Sequence, residues 1–167
     1  MIHERLSDGP LPIEHPLFKG EVYDLECEGT CKSSLDIGNA ALPTADFALF
    51  LINGVRFRCG QLFHLFDEAT FMREFEKQHQ GSRPPAGHPD LWFVHYTMLL
   101  ALGKALNGEY RRGNRPPGAE LFAQSMTVVP HLALSRADPL QSIEILCCAA
   151  LYLQCLDRRQ AAYNLVI

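Results

Sequence analysis

The stretch DLWFVHYTMLLALGKAL, residues 90–106, decides the fold. Its apolar residues fall on almost every side of a 3.6-residue period, and a helix that is apolar all round must be enclosed by neighbours. Asp90 stands where an N-cap belongs, so the helix is expected from Leu91 to about Leu106. Gly103 then marks a close helix contact, and His95 sits inside, four residues after Leu91 and four before Leu99. The nearly apolar run from Leu91 to Gly103 falls short of the ~20 residues that span a bilayer, so no transmembrane helix is expected.

Working outward, each neighbouring segment carries its own helix signal. In FHLFDEATFMREFEKQ, residues 63–78, an N-cap at Asp67 makes Phe66 the residue before the cap and Phe71 the fourth helical position, the pairing of a hydrophobic staple. Glu68 then favours the positive end of the helix dipole, and Phe71 and Phe75 share a buried face. Upstream, PTADFALFLINGVRF (43–57) offers Thr44 as N-cap and Phe47, Leu51 and Val55 at spacings of four, for a helix from Ala45 to about Arg58.

Downstream, GAELFAQSMTVVPHLAL (118–134) reads as a fourth helix with Leu121, Phe122, Met126, Val129 and Leu132 inward, and Pro130 should kink or end it. Asp138 with Pro139 at the first helical position starts a fifth. That helix carries IEILCCAALYLQCL (143–156) and is expected to be almost wholly buried. A last helix follows Asp157, and its apolar pattern is still running at Leu165, Val166 and Ile167, as in a fragment. No alternating strand pattern of useful length occurs. The expected fold is all-α: an irregular antiparallel array of about six helices, because short links favour antiparallel neighbours.

Of the 167 residues, 47% are hydrophobic and 20% charged, which fits one globular helical domain over residues 44–167. The net charge of −4 is unevenly placed: residues 1–43 hold three Lys/Arg against eight Asp/Glu, and the remainder holds twelve against eleven. With Pro10, Pro12, Pro16 and Pro43 and no sustained apolar period, residues 1–43 read as a mobile acidic leader or linker. Its apolar clusters, Leu17-Phe18 and Val22-Tyr23-Leu25, are candidates for docking on the domain or on a partner. Nothing has the basic stripe that phosphate neutralisation requires, which argues against direct nucleic-acid binding. The start, MIHERLSDGPLP, lacks the basic and apolar regions of a signal peptide, so an intracellular location is expected.

Four groups of residues invite chemistry. His64, Asp67 and Glu68 form a local acid/base cluster, but catalysis needs convergence on a pocket, and capping already occupies Asp67. Cys147, Cys148 and Cys155 lie in an apolar helical pattern and are expected to be buried, while Cys27 and Cys31 in ECEGTCK lack the further ligands of a zinc site. Arg111, Arg112 and Arg115 form a basic loop whose default is solvation, with an anion or acidic-peptide contact as the alternative. No P-loop, GxGxxG, GxSxG or HExxH motif occurs, and no enzyme activity or cofactor is expected. His95 is read first as a buried, hydrogen-bonded histidine. If the domain takes a small molecule, Trp92, His95, Tyr96 and Met126 are the candidates for lining its pocket.

The order of LPTADFALFLINGVRF, LFHLFDEATFMREFEKQ, DLWFVHYTMLLALGKAL and GAELFAQSMTVVPHLALSRADPLQSIEILCCAALYLQCLDRRQAAYNLV resembles the fungal-specific transcription factor domain, the middle homology region of fungal zinc binuclear cluster regulators. The resemblance covers about residues 42–167, and its specificity lies in the order and spacing of degenerate apolar patterns. It implies an all-helical, effector-responsive domain that modulates transcription in the nucleus. Its partners would be a small-molecule effector and a co-regulator or a second copy. The family's six-cysteine zinc cluster is missing, and Cys27 and Cys31 cannot stand in for it; zinc and DNA contact are expected only through such a cluster. The family's domain also continues beyond the equivalent of Ile167. The alternative is a helical interaction or dimerisation scaffold without DNA binding or ligand sensing. A large exposed apolar patch favours the scaffold; an enclosed cavity beside Trp92, His95 and Met126 favours the sensor.

Overall fold

From Val94 to Gly103 every residue is buried, as the apolar girdle of that segment requires. The computed structural model describes residues 42–80, 90–108, 115–129 and 138–166. Among them are six helices and no strand: α1 (Ala45–Cys59), α2 (Glu68–His79), α3 (Leu91–Asn107), α4 (Ala119–Met126), α5 (Pro139–Cys155) and α6 (Arg159–Val166). The all-α expectation holds. The central helix is α3, packed against α1, α4 and α5, while α6 packs on α5. The leader over residues 1–43, apart from Leu42 and Pro43, lies outside the described residues, as do Arg111, Arg112 and Leu132.

Helix starts follow local chemistry. The Asp67 carboxylate accepts from the Thr70 N–H at 2.9 Å, Asp90 from Trp92 at 3.1 Å and Asp138 from Gln141 at 3.1 Å. Each satisfies a backbone donor that the first helical turn leaves free. Thr44 precedes α1 but makes no side-chain cap bond. At the far end of α4, the helix stops at Met126; Pro130, expected to end it, lies outside the described residues.

Two glycines permit close approach to the central helix and its neighbours. A Cβ on Gly103 would lie 2.9 Å from Leu51 Cβ, which lets α3 press directly on α1. Gly118 has φ +78, and a Cβ there would lie 2.7 Å from the Ala101 carbonyl oxygen, so α4 begins against the α3 backbone. Polar ties complete the packing. Thr97 and Ser125 share a buried hydroxyl hydrogen bond of 2.8 Å between α3 and α4. The Tyr152 hydroxyl donates to the Pro117 carbonyl at 2.9 Å, and its ring stacks on Phe122 with centroids 4.4 Å apart.

Two expectations are corrected. First, α5 is not almost wholly buried. Its buried set is Glu144, Ile145, Cys148, Ala149, Tyr152 and Leu153, one face at three- and four-residue spacing, while Leu140 and Ile143 are 63% and 57% exposed. Apolar composition alone overstated how many neighbours the helix has. Second, the three cysteines of this helix are not all buried: Cys148 is sealed, Cys147 is half-buried and Cys155 is exposed. On α1 the inner face is Ala48, Leu51, Ile52, Val55 and Cys59, and Phe47 packs half-buried against the same core and stacks on the exposed Phe50 at 6.0 Å.

Candidate functional site

The loop between α1 and α2 meets polar side chains from two helices, α3 and α5, at one place. The His95 Nε2–H of α3 donates to the Leu65 carbonyl at 2.8 Å. On α5, Glu144 Oε1 lies 3.2 Å from His64 Nδ1, and Glu144 Oε2 lies 3.9 Å from His95 Nδ1. Cys148, one turn along α5, has its Sγ 4.0 Å from His95 Nε2. His64, Glu144, His95 and Cys148 therefore form one run of contacts, tied through His95 to Leu65, itself buried in the core.

The electrostatics of this cluster follow from burial. His95 is 1% exposed, and loss of hydration outweighs its hydrogen bond to Leu65, holding its pKa at about 4. The ring is therefore neutral at pH 7, and its 3.9 Å approach to Glu144 is a contact rather than an ion pair. Burial also raises the Glu144 carboxyl, with His64 pulling it down and Asp138 and Asp67 adding a smaller upward push. The Cys148 thiol is driven well above its ordinary value, chiefly by burial.

Cys148, His95 and Glu144 stand in the order of a nucleophile, a base and its orienting acid. Their chemistry here is different. A nucleophilic cysteine must be a reachable thiolate, yet Cys148 is fully buried with a raised pKa. A general base must present a lone pair to the thiol, yet the Nε2 proton of His95 points to Leu65. The three side chains act as a packed polar seam between α3, α5 and the loop.

The cluster read from sequence, His64 with Asp67 and Glu68, does not converge. His64 turns to Glu144, Asp67 caps α2, and Glu68 pairs with Arg56. His64 and Glu68 do border one open depression, shared with Val55, Arg56, Gly60, Phe63, Leu65 and Phe66. Asp67 has its pKa lowered by the hydrogen bonds from Thr70, as its capping role requires.

Trp92, His95 and Tyr96, three of the four candidate effector contacts, belong to one aromatic cluster. Trp92 and Tyr96 stack with centroids 5.2 Å apart and planes within 8°. Phe71 meets Trp92 at 5.4 Å and His95 at 5.6 Å, and Phe75 meets Tyr96 at 5.9 Å. The staple is present too, with Phe66 and Phe71 centroids 4.9 Å apart. The Tyr96 hydroxyl lies 3.3 Å from His79 Nε2, and burial pushes its pKa up to about 12. Met126 is half-buried and packs where this core meets the smaller cluster of Val94, Val128, Val129 and Ile145. Trp92 Nε1, in contrast, is buried with no hydrogen-bond partner.

Sequence reasoning missed Glu144. The available signal was a single carboxylate inside IEILCC, because a charge in an apolar helix needs a partner. Among the described residues, no three His, Cys, Asp or Glu side chains are placed to hold a metal ion. Nor is any helix among them long and apolar enough to cross a membrane. No family model, curated protein or solved structure matches this chain.

Proposed function

We propose that the helical domain is a regulatory, transcription-modulating domain of the type found in fungal zinc-cluster transcription factors, acting in the nucleus and reaching DNA only through a separate zinc cluster. One observation carries this reading. The chemically richest stretch of the sequence, residues 63–78, is used to seat α2 on the central helix through the Phe66–Phe71 staple and the Phe71–Trp92 contact. A helix held by such a hinge of aromatic side chains is an element whose position an effector or co-regulator can bias. The effector would act beside Trp92, His95, Tyr96 and Met126, where the buried and unpartnered Trp92 Nε1 offers a donor to a ligand acceptor.

The full chain fused to a heterologous DNA-binding domain tests this in a reporter strain. Reporter output different from that of the DNA-binding domain alone is expected, with the difference lost on Phe71→Ala. Identical output from a folded, nuclear fusion would overturn the reading.

The scaffold reading also has an observation in its favour: Phe50, Phe57 and Leu62 are 58%, 80% and 79% exposed. It predicts concentration-dependent association of the chain in light scattering, with no response of Trp92 fluorescence to small molecules.

A further inference from the structure

Among the described residues, one face of α1 is left uncovered. Its inner side packs into the core, and the opposite side carries Phe50, Asn53 and Phe57, all exposed, at three- and four-residue spacing along one stripe. Phe50 and Phe57 are 58% and 80% exposed and lie two turns apart, about 10 Å along the axis. Scattered apolar side chains on a surface are ordinary, but two aromatic rings aligned on one helix face form a seam that water covers poorly. Phe50 is also held in place, its ring stacked on the half-buried Phe47 with planes within 17°. A side chain ordered beforehand loses less freedom when a partner binds.

The charges of α1 identify the occupant. Asp46 lies in the first turn and Arg58 in the last, and both are exposed. Arg58 donates one Nη1 to the Leu106 carbonyl, which leaves its Nε and Nη2 as donors. A face that is acidic at one end, basic at the other and aromatic between them complements a copy of itself laid antiparallel. A two-fold axis beside Asn53 sets Phe50 of each copy against Phe57 of the other, and it brings each Asp46 to the last turn of the other helix, where Arg58 stands. The Asn53 amide, donor and acceptor at once, can pair with its own counterpart across that axis. A parallel arrangement instead sets like charges together at both ends and aligns the two helix dipoles. We infer that two copies of this chain associate through α1, packed antiparallel about a two-fold axis beside Asn53, with Phe50 of each copy against Phe57 of the other. The inference rests on the association that the scaffold reading predicts, and gives it a surface and an orientation.

The test is sedimentation velocity of the full chain over a range of concentrations, joined to photo-crosslinking with benzoylphenylalanine in place of Phe50. A monomer–dimer equilibrium is expected, with crosslinked dimers that join residue 50 of one chain to a peptide containing residue 57 of the other. Phe57→Glu should weaken the dimer about tenfold or more. Asp46→Lys and Arg58→Glu should each weaken it, and the two together on one chain should restore it. Circular dichroism establishes that each variant is folded. A dimer that survives Phe57→Glu, or crosslinks that join residue 50 to residue 50 or to a surface away from α1, would overturn the inference and leave the scaffold reading standing. A monomer at every concentration would overturn both.

Discussion

At the scale of single residues, His95 is the group whose titration the fold most opposes. Its folded pKa of about 4 lies below its ordinary 6.5, so below pH 6.5 the unfolded chain takes up a proton that the folded chain refuses. Stability is then full above pH 6.5 and falls by about 3 kcal/mol as the pH drops to about 4, at ~1.4 kcal/mol per unit. Glu144 acts in the opposite sense: its raised pKa favours the folded state at low pH, and that contribution is lost as pH rises through the folded value. Comparing His95→Gln with the unsubstituted chain separates the two, since an amide can still donate to Leu65 but does not titrate. Urea midpoints across this range should slope for the natural chain and flatten for His95→Gln; parallel profiles would contradict the assignment. Glu144→Gln should leave stability at pH 7 unchanged or higher, because it removes a buried charge whose partner, His64, is 68% exposed. A loss above about 1 kcal/mol in the same urea experiment would mean that the His64 pair is worth more than exposed pairs usually are. The buried state of His95 was legible from its place in an apolar helix. The Glu144 seam was not, because its partners lie far away in the chain and only packing brings them together.

At the scale of elements, local signals were legible and long-range ones were not. Asp67, Asp90 and Asp138 cap the helices they precede because a cap depends on atoms within a few residues. Burial of α5 depends on how many helices surround it, and the run IEILCC reads the same whether one face or all faces are covered. The close contact at Gly103 was legible as a glycine in a helix with no other reason to hold one. Gly103→Ala sets a gain of up to ~1 kcal/mol in helix propensity against an overpacking cost of about 1–3 kcal/mol. With Leu51 Cβ and its carbonyl oxygen at 2.9 and 3.0 Å from the added methyl, overpacking should win, and thermal unfolding should shift downward. An upward shift would show that α1 yields at this contact. Asp138→Ala should cost α5 about 1 kcal/mol, read from the same thermal curves; no loss would mean that Pro139 alone fixes the helix start.

At the scale of the whole molecule, one helix carries the organisation: α1, α4 and α5 pack on α3, and α2 reaches it through aromatic side chains. The main core cluster accordingly draws residues from α1, α2, α3, α4, α5 and α6 at once. A core shared in this way predicts one cooperative unfolding step rather than separate melting of a peripheral helix. The chain has a single tryptophan, Trp92, placed at the α2–α3 contact, so its fluorescence is sensitive to the seating of α2 while far-UV circular dichroism reports all helices. The decisive measurement is urea unfolding of the full chain followed by both signals. Coincident transitions are predicted, because Phe71 and Phe75 belong to the same core as Leu99 and Tyr152. A Trp92 transition at clearly lower urea, with helicity still intact, would show that α2 is an appended helix and would contradict the packing role given to residues 63–78.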